Sequence, residues 1–256
     1  MRKILIILSG SFLYCSFTLG QEIETTFENA NSAYNAGQFE KAVMLYKEIL
    51  ENGQQSAELY YNLANSYYRL NQVGERIFYF EKAKQLQPMD EDININRAFA
   101  QNMAIDAVEV LPKSQFTLLE EKTIELFSQE GWAYMIVFIA WLLVLFWGLY
   151  LWNKAPVIKR TFFVSTLVLG LLLFCSLFIA VVKSSITAET TYGILFDEKI
   201  EVWAEPNSRA EVLFLLHEGT KVQMFDQLQE WQKIRIANGS EGWIKNAKVR
   251  SLKGFK

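Results

Sequence analysis

The chain has 256 residues, of which 51% are hydrophobic, and its formal net charge is −3 at pH 7. This charge argues against a nucleic-acid-binding protein, because such proteins usually carry a basic domain or a basic stripe. The two cysteines, Cys15 and Cys175, lie in separate apolar stretches, so neither is predicted to form a disulfide or a metal site. No dinucleotide-binding fingerprint occurs, and no cofactor is predicted.

The first 20 residues have the pattern of a secretory signal peptide. Arg2 and Lys3 supply the positive charge, and the apolar run Ile4–Leu19 follows them. Small residues at the end of this run predict cleavage just before Gln21. An uncleaved anchor helix is the alternative, and both interpretations place the following residues outside the cytoplasm.

A repeat with an offset of 34 residues runs through residues 21–110. Ala30 aligns with Ala64, and Tyr46 aligns with Phe80. A period of 34 residues, with small residues where two helices cross, is typical of the tetratricopeptide family, and this segment resembles that family. The resemblance implies an all-α tetratricopeptide repeat domain. Its expected units are repeats at about 23–56 and 57–90 and a capping helix at 91–108.

The second repeat departs from the first at its turn. Asn71 stands where the first repeat has Gly37, the residue predicted to join its two helices. Gly74 follows closely, and we expect this glycine to relieve the turn of the second repeat.

Helical repeats of this kind bind peptides or other helices in a groove lined by their first helices. The candidate groove residues, chosen by their register in the repeat, are Asn31, Tyr34, Tyr61, Asn62, Asn65, Tyr68 and Arg69. An equally weighted alternative is that these side chains only complete contacts between helices.

Some tetratricopeptide proteins clamp the carboxylate at the C-terminus of a peptide with asparagine and basic residues. Asn31 and Asn62 match the asparagine positions of that clamp. Its basic positions are occupied here by Phe27, Glu58 and Asn96. The sequence therefore predicts that this groove does not bind a terminal carboxylate.

Residues 111–130 are predicted to form a juxtamembrane amphipathic helix. Its apolar positions, including Leu119, Ile124 and Phe127, recur at helical spacing. This helix would lie in the membrane interface or pack on the repeat domain, and the sequence does not distinguish the two.

Two uncharged apolar runs at 131–153 and 161–182 predict a two-helix transmembrane hairpin. Each run is long enough to cross the hydrocarbon core, which needs about 20 residues. The connecting loop at 154–160 carries three basic residues and no acidic residue, so the positive-inside bias places it in the cytoplasm. The expected location is a bacterial inner membrane, with both soluble domains in the periplasm.

Residues 190–256 change to short stretches of alternating polarity, which predict about five strands in a small all-β barrel. The predicted strands contain Ile200–Trp203, Val212–Leu216, Val222–Met224, Trp231–Ala237 and Gly242–Ile244. The order of tryptophans, turns and strands resembles the bacterial SH3-like domains over about Tyr192–Leu252. Many domains of that family bind cell-wall peptides or protein segments.

Trp231 and Trp243 are the candidate ligand face of this SH3-like domain. The alternative, weighted more heavily, places them in the core, because large aromatic side chains dominate small cores. His217 is the single histidine, and no carboxylate or cysteine cluster at ligand spacing surrounds it. No nucleophile motif or phosphate-binding loop occurs, so a non-enzymatic protein is predicted.

The order of signal peptide, tetratricopeptide repeats, membrane hairpin and SH3-like domain resembles the BatE-type membrane proteins of the Bacteroides aerotolerance operon. That resemblance implies an envelope scaffold that works beside von Willebrand factor A-type membrane proteins and a MoxR-type ATPase. The first hypothesis is therefore an adaptor for protein–protein interaction. The second is a cell-wall sensor whose SH3-like domain binds peptidoglycan.

Overall fold

The computed structural model describes residues 23–104, 106, 114–189 and 191–253, and these residues form eight helices and one antiparallel sheet. The predicted signal peptide at 1–20 lies outside the described residues. So do Cys15, the end of the predicted capping helix at 107–108 and the start of the predicted juxtamembrane helix at 111–113.

Five helices joined by short turns form the first part of the described chain. They are α1 at 23–35, α2 at Phe39–Glu51, α3 at Ala57–Arg69, α4 at Val73–Leu86 and α5 at Glu91–Asn102. Ser56 and Asp90 are N-caps, and each side chain accepts a hydrogen bond of 3.0 Å from a backbone N–H three residues later. Successive helices pack side by side along this part of the chain, which we call the helical region.

The turn between α3 and α4 differs from its prediction. Asn71 itself adopts the left-handed conformation, with φ of 57°, and Gly37 does so at the equivalent turn with φ of 76°. Asparagine tolerates this conformation, so no glycine is needed there. The expectation that Gly74 relieves the turn is therefore wrong, and Gly74 lies instead in the first turn of α4.

Three further helices follow, namely α6 at Gln115–Ile124, α7 at Gln129–Trp152 and α8 at Pro156–Glu189. The spans Gln129–Trp152 and Pro156–Ile186 are long and apolar enough to cross a membrane, with mean hydropathies of 2.3 and 2.6. α7 and α8 pack along each other as a hairpin, and Phe146 meets Phe162 with 5.7 Å between ring centroids. α8 begins inside the predicted loop at 154–160, because proline is tolerated in the first turn of a helix.

Hydrogen bonds connect the C-terminal part of α8 to the turn between α6 and α7. The Lys183 ammonium group donates to the backbone oxygens of Ile124, at 3.0 Å, and of Phe127. The indole N–H of Trp132 donates to the same Ile124 oxygen at 3.2 Å. Backbone oxygens at the end of a helix lack partners within the helix, so these donors satisfy them and hold the hairpin against α6.

Seven strands form a single antiparallel sheet in the order β3-β2-β6-β5-β4-β1-β7. The strands are β1 at Thr191–Leu195, β2 at Ile200–Trp203, β3 at Val212–Leu216, β4 at Lys221–Leu228, β5 at Trp231–Arg235, β6 at Glu241–Lys245 and β7 at Val249–Ser251. The sequence predicted about five strands and missed β1 and β7. β7 has only three residues, and β1 contains Gly193, so neither shows a clear alternation.

Successive residues of β1 belong to two different hydrophobic cores. Leu195 joins a core inside the sheet, together with Val202, Val222 and Ile244. Ile194 joins the core of the helical region, as does Leu252 near the end of the chain. Because successive side chains of a strand point to opposite faces, β1 connects the sheet directly to the helical region.

Candidate functional site

A cavity of about 260 Å³ opens on the helical region between α1, α2 and α3. Its lining is polar and uncharged, and consists of Asn31, Tyr34, Asn35, Tyr46, Asn62 and Asn65. Drug-sized ligands usually occupy cavities of about 300–1,000 Å³, so this one suits a small group such as part of a peptide rather than a large cofactor.

Hydrogen bonds fix the orientation of the side chains in this cavity. The Asn31 side-chain oxygen accepts from the Tyr46 hydroxyl group at 2.5 Å and from the Asn62 side-chain nitrogen at 3.1 Å. Burial, together with the nearby Tyr34 and Glu58, raises the pKa of Tyr46 to about 12. Tyr46 therefore remains a protonated donor at neutral pH, and its bond to Asn31 persists.

Four of the seven predicted groove residues line the cavity, namely Asn31, Tyr34, Asn62 and Asn65. The sequence missed Asn35 and Tyr46. Asn35 lies four residues after Asn31 on α1, a spacing that places both on one helix face and would have identified it. Tyr46 was identified only as a repeat position that aligns with Phe80.

The other three predicted groove residues contact neighbouring helices instead. Tyr61 accepts a hydrogen bond of 3.0 Å from Asn96 on α5. The Tyr68 ring lies 6.2 Å from the Phe99 ring, and the Arg69 guanidinium group lies 5.0 Å from the Phe39 ring centroid. For these three residues the structure therefore agrees with the alternative stated for the groove, in which the side chains complete contacts between helices.

Three tryptophans share one face of the sheet, which we call the tryptophan face. Trp203 on β2 is directly opposite Trp243 on β6, and Lys233 on β5 is opposite Trp243 on its other side. Residues directly opposite each other point to the same face, and so do alternate residues of one strand. Trp231 therefore shares this face, and its ring meets that of Trp203 at 6.4 Å and 81°.

The two candidate tryptophans differ in exposure. Trp231 is only 5% exposed, and the Lys245 ammonium group lies 5.8 Å from its ring centroid. Trp243 is half-buried, so part of its ring meets solvent. Trp231 thus agrees with the packing alternative, whereas Trp243 can contact a ligand directly.

Paired charges border the tryptophan face. Glu241 accepts from Arg235 Nε at 2.7 Å and lies 3.1 Å from the Lys233 ammonium group. The hydrogen bonds from Arg235 and Lys233 hold the pKa of Glu241 below its usual value. A ligand that approaches this face therefore meets an aromatic surface with a mixed-charge border.

Comparison with known proteins assigns this part of the chain to a family. A family model described as a bacterial SH3 domain matches residues 200–250, about a fifth of the chain. The match spans β2 to β6 and most of β7, so the antiparallel sheet is SH3-like, as its sequence predicted. A search of curated proteins finds no matching sequence.

Within the described part of the chain, no group of three or more His, Cys, Asp or Glu side chains could hold a metal ion. His217 contacts a single carboxylate, that of Asp106, with 2.7 Å between Nδ1 and Oδ1. This pair joins the SH3-like domain to Asp106, four residues beyond the end of α5, and it does not line the cavity.

Proposed function

We propose that this protein is a non-enzymatic adaptor anchored in the inner membrane, with its helical region and its SH3-like domain both available to protein partners. The observation that carries the proposal is the hairpin of α7 and α8. A hairpin returns the chain to the side from which it started, and here the helical region before it packs against the sheet after it. Two binding modules on one side of an anchor suit an adaptor.

The cavity supports peptide binding by the helical region. Its four asparagines, Asn31, Asn35, Asn62 and Asn65, each carry one acceptor and one amide donor group. A peptide backbone presents the complementary N–H and C=O groups. An uncharged lining offers a terminal carboxylate no cationic partner, so an internal peptide segment fits better than a C-terminus.

The 34-residue period and the helix pairs support a tetratricopeptide repeat domain, and the order of parts supports a BatE-type protein. In that case its partners are von Willebrand factor A-type membrane proteins and a MoxR-type ATPase system. The basic loop after α7 favours a cytoplasmic position for the loop and a periplasmic one for both modules.

A photo-crosslinking residue in place of Asn35 tests the adaptor function. In cells, this residue should label a small set of membrane proteins, and Asn62→Ala with Asn65→Ala should abolish the labelling. The same crosslinking residue in place of Met44, which is 60% exposed on α2, is the control for surface contacts. Equal labelling from both positions would contradict the proposal.

A cell-wall sensor is the second candidate, favoured by the bacterial SH3 match and by the half-buried Trp243. Bacterial SH3 domains bind proteins or peptidoglycan. Full-length protein should then sediment with purified sacculi, and Trp243→Ala should reduce the bound fraction. If the protein stays in the supernatant, the sensor is ruled out and the adaptor remains.

Topology has an independent test. A cysteine at Lys154 should resist a membrane-impermeant thiol reagent in intact spheroplasts, whereas one at Asn207 should react. The reverse pattern would contradict a periplasmic location for the SH3-like domain.

A further inference from the structure

Two glycines, one on α4 and one on the SH3-like domain, lie where the domain contacts α4. Gly219 has φ of 88°, and a Cβ atom there would lie 2.7 Å from Ile77 Cδ1 and 2.9 Å from Val73 Cγ1. A Cβ atom on Gly74 would lie 3.0 Å from Phe196 Cδ1. These separations are shorter than ordinary van der Waals contact, so a side chain at either position would force its neighbours to shift.

Glu218 supplies the N-terminus of α4 with a cap from another part of the chain. Its Oε1 accepts the Gly74 backbone N–H at 2.7 Å, and Gln72, the N-cap residue, makes no side-chain cap of its own. The first N–H groups of a helix lack partners within the helix and favour a negative charge. A carboxylate 144 positions away in sequence therefore provides the cap that a local serine or aspartate provides in other helices.

Arg250 inserts its guanidinium group between two phenyl rings that belong to different modules. The group lies 4.2 Å from the Phe78 ring centroid on α4 and 3.9 Å from that of Phe196, which follows β1. Its Nη2 atom donates to Glu75 Oε2 at 2.6 Å. A planar cation stacks well on aromatic faces, so this contact is specific for arginine in shape as well as in charge.

Glu81 forms a buried ionic centre on the same side of α4. Its side chain is 4% exposed, and its oxygens accept from Lys221 at 2.7 Å, from Arg97 at 3.0 Å and from Gln101 at 2.8 Å. Burial opposes ionisation, but Lys221 and Arg97 outweigh it and hold the pKa at about 2. One carboxylate thus joins α4, α5 and β4.

A second carboxylate, that of Asp106, forms hydrogen bonds with the turn before β4. The His217 backbone N–H and the Thr220 hydroxyl group each donate to Oδ2 at 2.6 Å, and His217 Nδ1 meets Oδ1 at 2.7 Å. Although burial disfavours the ionised form, these hydrogen bonds lower the pKa of Asp106. The turn is therefore held by α4 on one side and by Asp106 on the other.

We propose that the SH3-like domain recognises α4 of its own chain, and that this recognition locks the helical region and the sheet into one unit. The lock uses the 217–221 segment, Phe196 and Arg250, and none of these residues belongs to the cavity or to the tryptophan face. The domain therefore has a structural function in addition to any ligand it binds. The inference does not depend on the adaptor function.

A disulfide across the two surfaces tests the lock in the full-length protein in nanodiscs, with Cys15→Ser and Cys175→Ser as background. The chosen pair is Gly74→Cys with Glu218→Cys. A Cβ atom at Gly74 would lie 3.1 Å from Glu218 Cγ, so cysteine side chains at the two positions would be close enough to form a disulfide bond. Mild oxidation should link this pair within one chain almost completely.

The matched control pair is Gly74→Cys with Glu230→Cys. Glu230 lies beyond the far end of β4, whose near end at Lys221 is part of the lock. Because a strand rises about 3.3 Å per residue, the far end of β4 is roughly 20 Å from Lys221. The control should keep free thiols, as read by mass spectrometry of a digest. No bond in the first pair, equal bonding in both pairs, or bonding only between two copies would each overturn the proposal.

Hydrogen exchange supplies a second measurement that needs no new bond. Arg250→Ala should speed exchange in α4 and in β1 together, whereas Arg209→Ala, in the exposed β2–β3 turn, should change neither. If the Arg250 variant does not fold, Glu218→Ala removes only the cap of α4 and serves the same test. Faster exchange confined to the sheet, with α4 unchanged, would overturn the proposal.

Discussion

Helices α4 and α5 are neighbours in the helical region, yet the outward apolar side chains of α4 are buried and those of α5 are exposed. On α4, Ile77 and Phe78 are 0% and 2% exposed, because the SH3-like domain covers them. On α5, Ile95 and Phe99 are 59% and 54% exposed. The difference teaches that the helical region is completed by a domain about 120 residues further along the chain.

The two helices do differ in pattern. Apolar and aromatic residues at 77–80 cover all sides of α4, and a helix that is apolar all round is usually buried all round. α5 has no such continuous run: Ile93 and Ala100 are buried, whereas Ile95 and Phe99 lie on the opposite side and are exposed. A second layer over α4 is therefore indicated by its sequence, although the sequence does not say which segment supplies it.

The largest expected effect compares one aromatic residue from each helix. Phe78→Ala should lower the free energy of unfolding by about 4 kcal/mol, because it removes a fully buried ring and leaves a cavity. Phe99→Ala should change it by less than about 1 kcal/mol, since more than half of that ring already meets solvent. Thermal unfolding of the full-length protein measures both, and equal losses would break the contrast between α4 and α5.

Two glutamates give the next comparison. Glu81→Ala should cost about 3 kcal/mol, because it leaves Lys221 and Arg97 without their shared buried carboxylate. Glu125 pairs with Lys84 at 3.2 Å but is 49% exposed, so Glu125→Ala should cost at most about 1 kcal/mol. A loss at Glu81 no larger than that at Glu125 would show that the ionic centre does not hold the two modules together.

Two glycines with similar backbone conformations distinguish the cost of backbone strain from the cost of steric overlap with the neighbouring module. Gly219 and Gly53 have φ of 88° and 79°, but a Cβ atom would have neighbours within 4 Å at Gly219 and none at Gly53. Each change to alanine carries a backbone cost of about 1–2 kcal/mol, and Gly219→Ala should add roughly another 1–2 kcal/mol from overlap with Ile77 and Val73. Equal losses in thermal unfolding would mean that the two surfaces separate easily.

The last comparison concerns pH, and its sign follows from Glu81. The folded protein holds the pKa of Glu81 at about 2, below the ordinary value of 4.5, so the unfolded chain binds this proton more readily. The stability that Glu81 contributes is therefore complete above pH 4.5 and is lost as the pH falls from 4.5 to 2. Glu81→Gln should flatten the acid limb of the stability profile in that window, and an unchanged limb would contradict the assignment.

Much of the fold could be predicted because its patterns are local. The apolar runs predicted α7 and α8, and alternation with turn residues predicted β2 to β6 and an SH3-like domain. The cavity was partly predicted, since the repeat register places Asn31 and Asn62 on first helices. β1 and β7 were missed because Gly193 and the shortness of β7 conceal their alternation.

The contact between the modules could not be predicted, for a physical reason. Glu75, Glu81 and Glu218 have the composition of a solvated surface, and only their distant partners show that they are paired. These pairs join residues that are 140 or more positions apart, and no periodicity within one element reveals them. The same holds for Gly74, whose role depends on Phe196 and Glu218 rather than on its own turn.

A distance measurement between the two modules tests the central claim most directly. Spin labels at Met44→Cys on α2 and Arg209→Cys in the β2–β3 turn, in the full-length protein without its native cysteines, report the separation by pulsed electron paramagnetic resonance in nanodiscs. One narrow distance distribution is predicted, and Glu81→Ala should broaden it. A broad distribution in the parent protein would contradict a single locked unit.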